Sequence, residues 1–404
     1  MIRKTHLRPA DIRGVGRLAI DATLGLTRLV ETMHHNIASA PGPLGKYTQE
    51  PTKGITGLVY RTIQGTTRLV GSGIDALLGQ LIPFLEPQLA ASSGTREALL
   101  AALNGVLGDH LAASANPLAI TMRLRREGKP LTLSAPDLAA HLPRPGGKIL
   151  ILVHGLCMND LQWRRNGHDH GAALAEAAGF TPLYLHYNSG RHVSTNGHDF
   201  AELLEDLLRA WPVPVEELVI IGHSMGGLLA RSAFHYGERA GQAWPKQLRK
   251  LVFLGTPHEG APLERGGNWV NVVLEISPYT AALARLAKIR SAGITDLRHG
   301  SILDEDWRHG DRFAHAKGRK SATPLPQGVQ CFAAGVTIAQ ADDDPGESIL
   351  GDGLVPLRSA LGQHKDKRLA LDFPESHQWV GHGLNHMDLL DDAGVYARLK
   401  RWLC

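Results

Sequence analysis

The sequence predicts an α/β protein, a mainly parallel β-sheet wrapped by helices, with a helical region ahead of it. Three observations carry this expectation. From about residue 117 short apolar runs alternate with helical patterns, the order that builds a parallel sheet with helical crossovers. Before that point apolar residues recur at helical spacing and strand-like runs are scarce. One strand-to-helix junction carries a serine framed by glycines, Gly222-His223-Ser224-Met225-Gly226.

Taken in order, the first helical segment is marked by Leu18, Ile20, Leu24, Leu26, Leu29, Val30 and Met33, and Pro41-Gly42-Pro43 breaks it. A second segment resembles the first: Gly14–Val30 aligns with Gly54–Val70, sharing Thr-Arg-Leu-Val at 27–30 and 67–70. Two copies are too few for a solenoid and suggest a helical hairpin. A third helix, Thr95–Ala113, follows the break at Pro83–Pro87. Residues 1–116 are therefore expected to form a helical accessory region and 117–404 the catalytic domain. In the latter a hairpin comes first, with Met122 and Leu124 alternating with Arg123 and Arg125 and a turn at Glu127-Gly128. Strands are expected at Lys148–Val153, Thr181–Tyr187, Leu218–Ile221, Lys250–Leu254, Val329–Val336 and Arg368–Phe373. Helices are expected at Gly171–Ala178, His198–Arg209, Met225–Tyr236 and Asp391–Leu403. Residues 260–324 read as a lid-like insertion containing Val270–Leu274 and a helical stretch at Ala281–Ile289.

Composition excludes several classes. With 43% hydrophobic and 20% charged residues the chain has the makings of an ordinary globular core, which argues against disorder. A net charge of +4 over 404 residues, with no basic tract interleaved with aromatics, argues against a nucleic-acid partner. Three scattered cysteines, Cys157, Cys331 and Cys404, form neither a disulfide framework nor a thiolate metal site, and point to a reducing, cytoplasmic compartment. The first residues lack the apolar run of an export signal. Gly57–Leu85 is apolar but broken by Arg61, Arg68 and Asp75, so it does not read as a membrane span. Those three charges recur every seven residues. A helix would gather them on one stripe, leaving a broad apolar face for packing or for peripheral contact with a lipid surface.

The chemistry centres on Ser224. Glycines permit the sharp turn that lifts a serine above a sheet edge, and the helix that follows aims its positive end at the site. Lys148–Val153 runs into His154-Gly155-Leu156, a loop whose Leu156 amide would complete an oxyanion hole with that of Met225. His154 reads as structural and Cys157 as a small buried thiol. A serine on such an elbow needs an acid and then a histidine later in the chain. Asp352, with a glycine on each side, and His386, just before the last helix, take those roles. Asp343, Asp344, Asp372, His377 and His382 compete for them.

The matching residues extend further: Val153-His154-Gly155-Leu156, Gly222 to Gly227, Gly255-Thr256-Pro257-His258-Glu259-Gly260, Asp352-Gly353-Leu354-Val355-Pro356 and Asn385-His386-Met387-Asp388. Through them residues 148–404 resemble the lipase and esterase branch of the α/β-hydrolase superfamily, including bacterial triacylglycerol lipases and relatives with an inositol-deacylase-like serine hydrolase domain. The resemblance implies the α/β-hydrolase fold, no cofactor, and hydrolysis of acyl esters, lipid-like in character, by an acyl-enzyme route. Secreted lipases of this kind often hold a structural calcium. Asp388 falls where one ligand would be, but no second aspartate is clearly matched, Asp342–Asp344 reads as a solvated acidic loop, and His168-Asp169-His170 reads as a loop or helix cap rather than a metal site.

The same triad serves an acyltransferase, a thioesterase or an amidase, and a non-catalytic lipid-binding protein could keep the fold without turnover.

Overall fold

A computed structural model describes residues 10–11, 13–21, 24, 94–142, 144–261, 291–308, 321–341 and 351–404. The second repeat copy, the Gly57–Leu85 stripe, Val270–Leu274, Ala281–Ile289 and Asp342–Asp344 lie outside the described residues. The chain divides into two compact units, residues 1–96 with 113–119, and residues 97–112 with 120–404. In the first, residues 13–21 are helical, Arg17 donates to the Ala115 carbonyl at 2.8 Å, and Arg96 grips both oxygens of Asp11 at 2.6 and 2.7 Å.

The second unit is built on a sheet whose described strands run in the order β2-β1-β4-β3-β5-β6-β7-β8. They are β1 (Arg123–Arg126), β2 (Lys129–Pro130), β3 (Lys148–Val153), β4 (Thr181–His186), β5 (Glu217–His223), β6 (Leu248–Leu254), β7 (Gln330–Thr337) and β8 (Gln378–His382). From β4 to β8 all neighbours are parallel, and the β1–β2 hairpin joins antiparallel to β4. The helices are α1 (Gly94–Ala113), α2 (Ala135–His141), α3 (His170–Ala178), α4 (Val193–Ala210), α5 (Met225–Arg239), α6 (Ala292–His299), α7 (Leu357–Ala360) and α8 (Ala393–Leu403).

The central strands β3 to β7 are largely apolar because both of their faces are covered. Successive side chains point to opposite faces. Ile149, Ile151 and Val153 join Ile220, Phe253, Leu138 of α2 and Phe200 and Leu204 of α4. Leu150 and Leu152 join Val219, Val252, Leu174 of α3 and Leu399 and Trp402 of α8. The sheet is thus sandwiched between two helical layers, the architecture of an α/β-hydrolase.

One expected strand is corrected. Arg368–Phe373 is not a strand; Leu371 and Phe373 are buried in the core from an extended loop, tied by the Leu371 amide to the Gly362 carbonyl at 2.9 Å. The strand that pairs with β7 is β8, ten residues later. Of the insertion, the described part contains α6, capped by Ser291, which accepts from the Ile294 amide. It returns towards β7 through Thr323, whose carbonyl accepts from the buried Arg231 at 2.6 Å.

Because β3, β5, β6, β7 and β8 are parallel, their C-terminal ends share one edge of the sheet. The segments that leave that edge carry Gly155, Ser224, Gly255, Asp352 and His386.

Candidate active site

Ser224 lies between β5 and α5 with φ 54° and ψ −124°, a conformation that is costly for a residue with a Cβ. Two glycines make the turn possible. A Cβ on Gly222 would stand 2.5 Å from the Gly227 amide, and one on Gly226 would overlap the Val153 carbonyl. The Ser224 amide is anchored to the Leu254 carbonyl at 2.8 Å, so the turn is pinned to the neighbouring strand. Met225 is the first residue of α5, where no carbonyl of the same helix reaches its N–H.

Facing it is the loop after β3. Gly155 lies so near that a Cβ there would stand 3.0 Å from that of Ser224. Leu156 follows, and its side chain joins Met225, Val193, Leu228, Leu297, Ile302 and Leu303 in one apolar cluster. The insertion's described segment thus packs beside both expected oxyanion residues.

Asp352 and His386 are brought together. His386 Nδ1 donates to Asp352 Oδ2 at 2.6 Å, and both residues are 1% exposed. The other carboxylate oxygen accepts from the amides of Leu354 and Val355 at 2.9 and 2.7 Å. Glycines 351 and 353 have φ of 71° and 93°, which fold the chain back to supply those amides. The Ile338 amide donates to the Gly351 carbonyl at 3.0 Å, holding this turn to the end of β7, and the His386 amide donates to the Asp352 carbonyl at 3.1 Å.

The competitors are placed elsewhere. His382 ends β8 exposed, Asp372 is exposed, and His377 is hydrogen-bonded to the Cys331 carbonyl at 3.1 Å. Asp343 and Asp344 lie outside the described residues.

One residue of the site was not singled out from the sequence. His223 is fully buried, and its Nε2–H donates to the His386 carbonyl at 3.3 Å, with the two rings centred 4.7 Å apart. It ties the serine turn to the histidine loop. Burial pushes its pKa well below the usual range, so it is a neutral tether. Only its place inside the glycine–serine motif could have drawn attention to it. His154 is likewise buried, stacks on Tyr187 at 4.4 Å, and is pushed by burial down to about 3. The Cys157 thiol is pushed by burial up to about 12, which removes it as a nucleophile at neutral pH. In the His168-Asp169-His170 triplet, Asp169 caps α3 by accepting from the Ala172 amide, and among the described residues no group of His, Cys, Asp and Glu is arranged to hold a metal.

The fold is that of the α/β-hydrolases. More narrowly, residues 144–337 match the family model described as PGAP1-like alpha/beta domain, an α/β-hydrolase family. Solved structures with a similar fold include the mature lipase of Bacillus licheniformis, at 16% identity, covering 69% of this chain and 98% of that one with a TM-score of 0.41. A lipase-esterase related protein from Clostridium acetobutylicum is 13% identical, covering 64% and 95% with a TM-score of 0.34. An esterase of Pyrococcus furiosus is 13% identical, covering 64% and 82% with a TM-score of 0.37. No curated protein sequence matches the chain. No described helix is long and apolar enough to cross a membrane.

Proposed function

We propose that the protein is a serine carboxylester hydrolase in which Ser224 is the nucleophile, His386 the general base and Asp352 its orienting acid. The observation that carries the reading is the buried Asp352–His386 pair on the same sheet edge as a strained serine turn. Asp352 has one oxygen saturated by two backbone amides. The other therefore fixes the Nδ1–H tautomer of His386 and leaves Nε2 to take a proton.

In the first step Ser224 Oγ attacks the ester carbonyl carbon and its proton passes to His386. The carbonyl oxygen becomes an oxyanion, met by the amides of Leu156 and Met225. Collapse expels the alcohol, which takes its proton from His386, and leaves an acyl-enzyme. Water then attacks with the same base, releases the acid and restores Ser224. The lipid-like character of the ester rests on the resemblance of the motifs to those of lipases and esterases.

The test is Ser224→Ala against p-nitrophenyl esters of increasing chain length, with a fluorophosphonate probe as the direct label. Loss of both labelling and turnover by several orders of magnitude, with the fold intact, is expected. Activity within about tenfold of the parent would remove Ser224 from the mechanism.

A further inference from the structure

We infer that residues 97–112 of α1, together with Ser189, brace the proposed oxyanion loop from behind, making Ser189 and Gly105 positioning residues for acyl transfer; the inference rests on the oxyanion role given to Leu156 above. Cys157, immediately after Leu156, has φ 59° without being glycine, so something must hold it there. Two contacts do. The Cys157 amide donates to Ser189 Oγ at 3.0 Å, and Ser189 is 1% exposed. Gly105 presses on the other side, where an added Cβ would overlap Cys157 Sγ and stand 2.9 Å from its Cα and 3.0 Å from its N.

Ser189 is itself held by α1. Its neighbour Asn188 donates from Nδ2 to the Gly108 carbonyl at 2.8 Å, and accepts at Oδ1 from the Gly190 amide at 3.1 Å. Gly190 abuts Gly108, where a Cβ would meet the Gly108 amide at 2.7 Å. The same helix also fixes the start of α6. Ser291 Oγ donates to the Gly105 carbonyl at 2.7 Å, the Ala292 amide donates to Asp109 Oδ2 at 3.0 Å, and the Gly293 amide donates to the Gly190 carbonyl at 3.0 Å. Helix, oxyanion loop and insertion stem are thus interlocked through Ser189 and its neighbours. None of α1 belongs to the 144–337 match, so this support is supplied from outside the family domain.

An oxyanion donor works only when aimed at the transition state, and a displacement of about 1 Å costs on the order of a hundredfold in rate. Ser189→Ala leaves the Cys157 amide buried without its acceptor. Gly105→Ala drives the Cys157 backbone away, since turning the thiol relieves only part of the overlap.

The experiment measures kcat and KM for p-nitrophenyl butyrate, the inhibition constant of an alkyl trifluoromethyl ketone, and thermal stability. It uses the full chain and the variants Ser189→Ala, Gly105→Ala, Ser224→Ala and Leu204→Ala. Leu204 is buried in α4 and serves as a packing control. For Ser189→Ala and Gly105→Ala, kcat is expected to fall about tenfold or more with KM within about twofold. Inhibition by the ketone, which mimics the tetrahedral adduct, should weaken by the factor lost in kcat/KM. Leu204→Ala should lose stability and keep kcat. The brace is overturned if the first two variants keep kcat within about twofold, or lose it without weakening the ketone. Should Gly105→Ala not fold, Ser189→Ala decides alone. Turnover by Ser224→Ala would instead sink the serine reading, independently of the brace.

Discussion

Replacing Asp352 by asparagine changes almost nothing in size and nearly everything in proton placement. In the native site Oδ1 accepts two backbone amides and Oδ2 accepts His386 Nδ1–H. An asparagine must keep its oxygen towards the two amides, because the reverse orientation sets two donors against its NH2 group. Its NH2 then faces His386 Nδ1, which can accept only if the ring proton moves to Nε2, the position that receives the serine proton in the proposed mechanism. This wrong-tautomer state costs on the order of 10⁴ in kcat. The alternative, holding the right tautomer, leaves donor against donor. It forfeits a charged hydrogen bond worth about 1.5–3 kcal/mol, and the attraction between carboxylate and imidazolium, about 4 kcal/mol for charges about 4 Å apart at an effective dielectric of about 20. The two routes agree at about 5.5 kcal/mol or more, again about 10⁴. Steady-state turnover of p-nitrophenyl butyrate, with a thermal melt to verify folding, reads the effect. An Asp352→Asn protein keeping more than about a tenth of parental kcat would refute the assignment.

Acidification should destabilise the fold. Burial holds His154 at about 3, His170 at about 4 and His223 well below its ordinary value, so all three stay neutral in the folded chain while the unfolded chain protonates near 6.5. Their contribution is complete above about 6.5 and drains as pH falls, by about 1 kcal/mol each at about pH 5.5. Urea midpoints that do not drop between about pH 7 and about pH 5.5 would contradict this. Gly226→Ala, whose Cβ would overlap the Val153 carbonyl, should lower stability by about 1–3 kcal/mol and impair turnover; an unchanged melting temperature would show that the turn yields.

Much of this was legible in the sequence because it is local. Lys148–Val153 is a strand over the expected residues, and Met225 opens the helix after the serine, since apolar run and glycine turn are written contiguously. Chain order and the flanking glycines singled out Asp352 and His386, two side chains that the fold brings into hydrogen-bond contact. What escaped depends on tertiary placement. Gln378–His382 reads as polar and glycine-containing, because a strand that pairs, among the described residues, with β7 alone is not apolar along its length. Leu369-Ala370-Leu371 looks more strand-like, yet it packs as a loop. Ser189 and Gly105 gain meaning only because α1, which the sequence reading assigned to the accessory region, lies in part within the unit that holds the sheet.

The backbone angle at Ser224 carries a consequence for engineering. A side chain at φ 54° and ψ −124° stores on the order of 1–3 kcal/mol, and that strain is independent of the hydroxyl. Alanine there inherits it; glycine is released from it, less about 1 kcal/mol for the freer unfolded chain. Ser224→Gly should therefore melt higher than Ser224→Ala. A selection scheme that rewards thermal robustness alone would drift towards the glycine and discard the proposed nucleophile, so thermostabilised libraries of this chain need turnover in the screen from the first round.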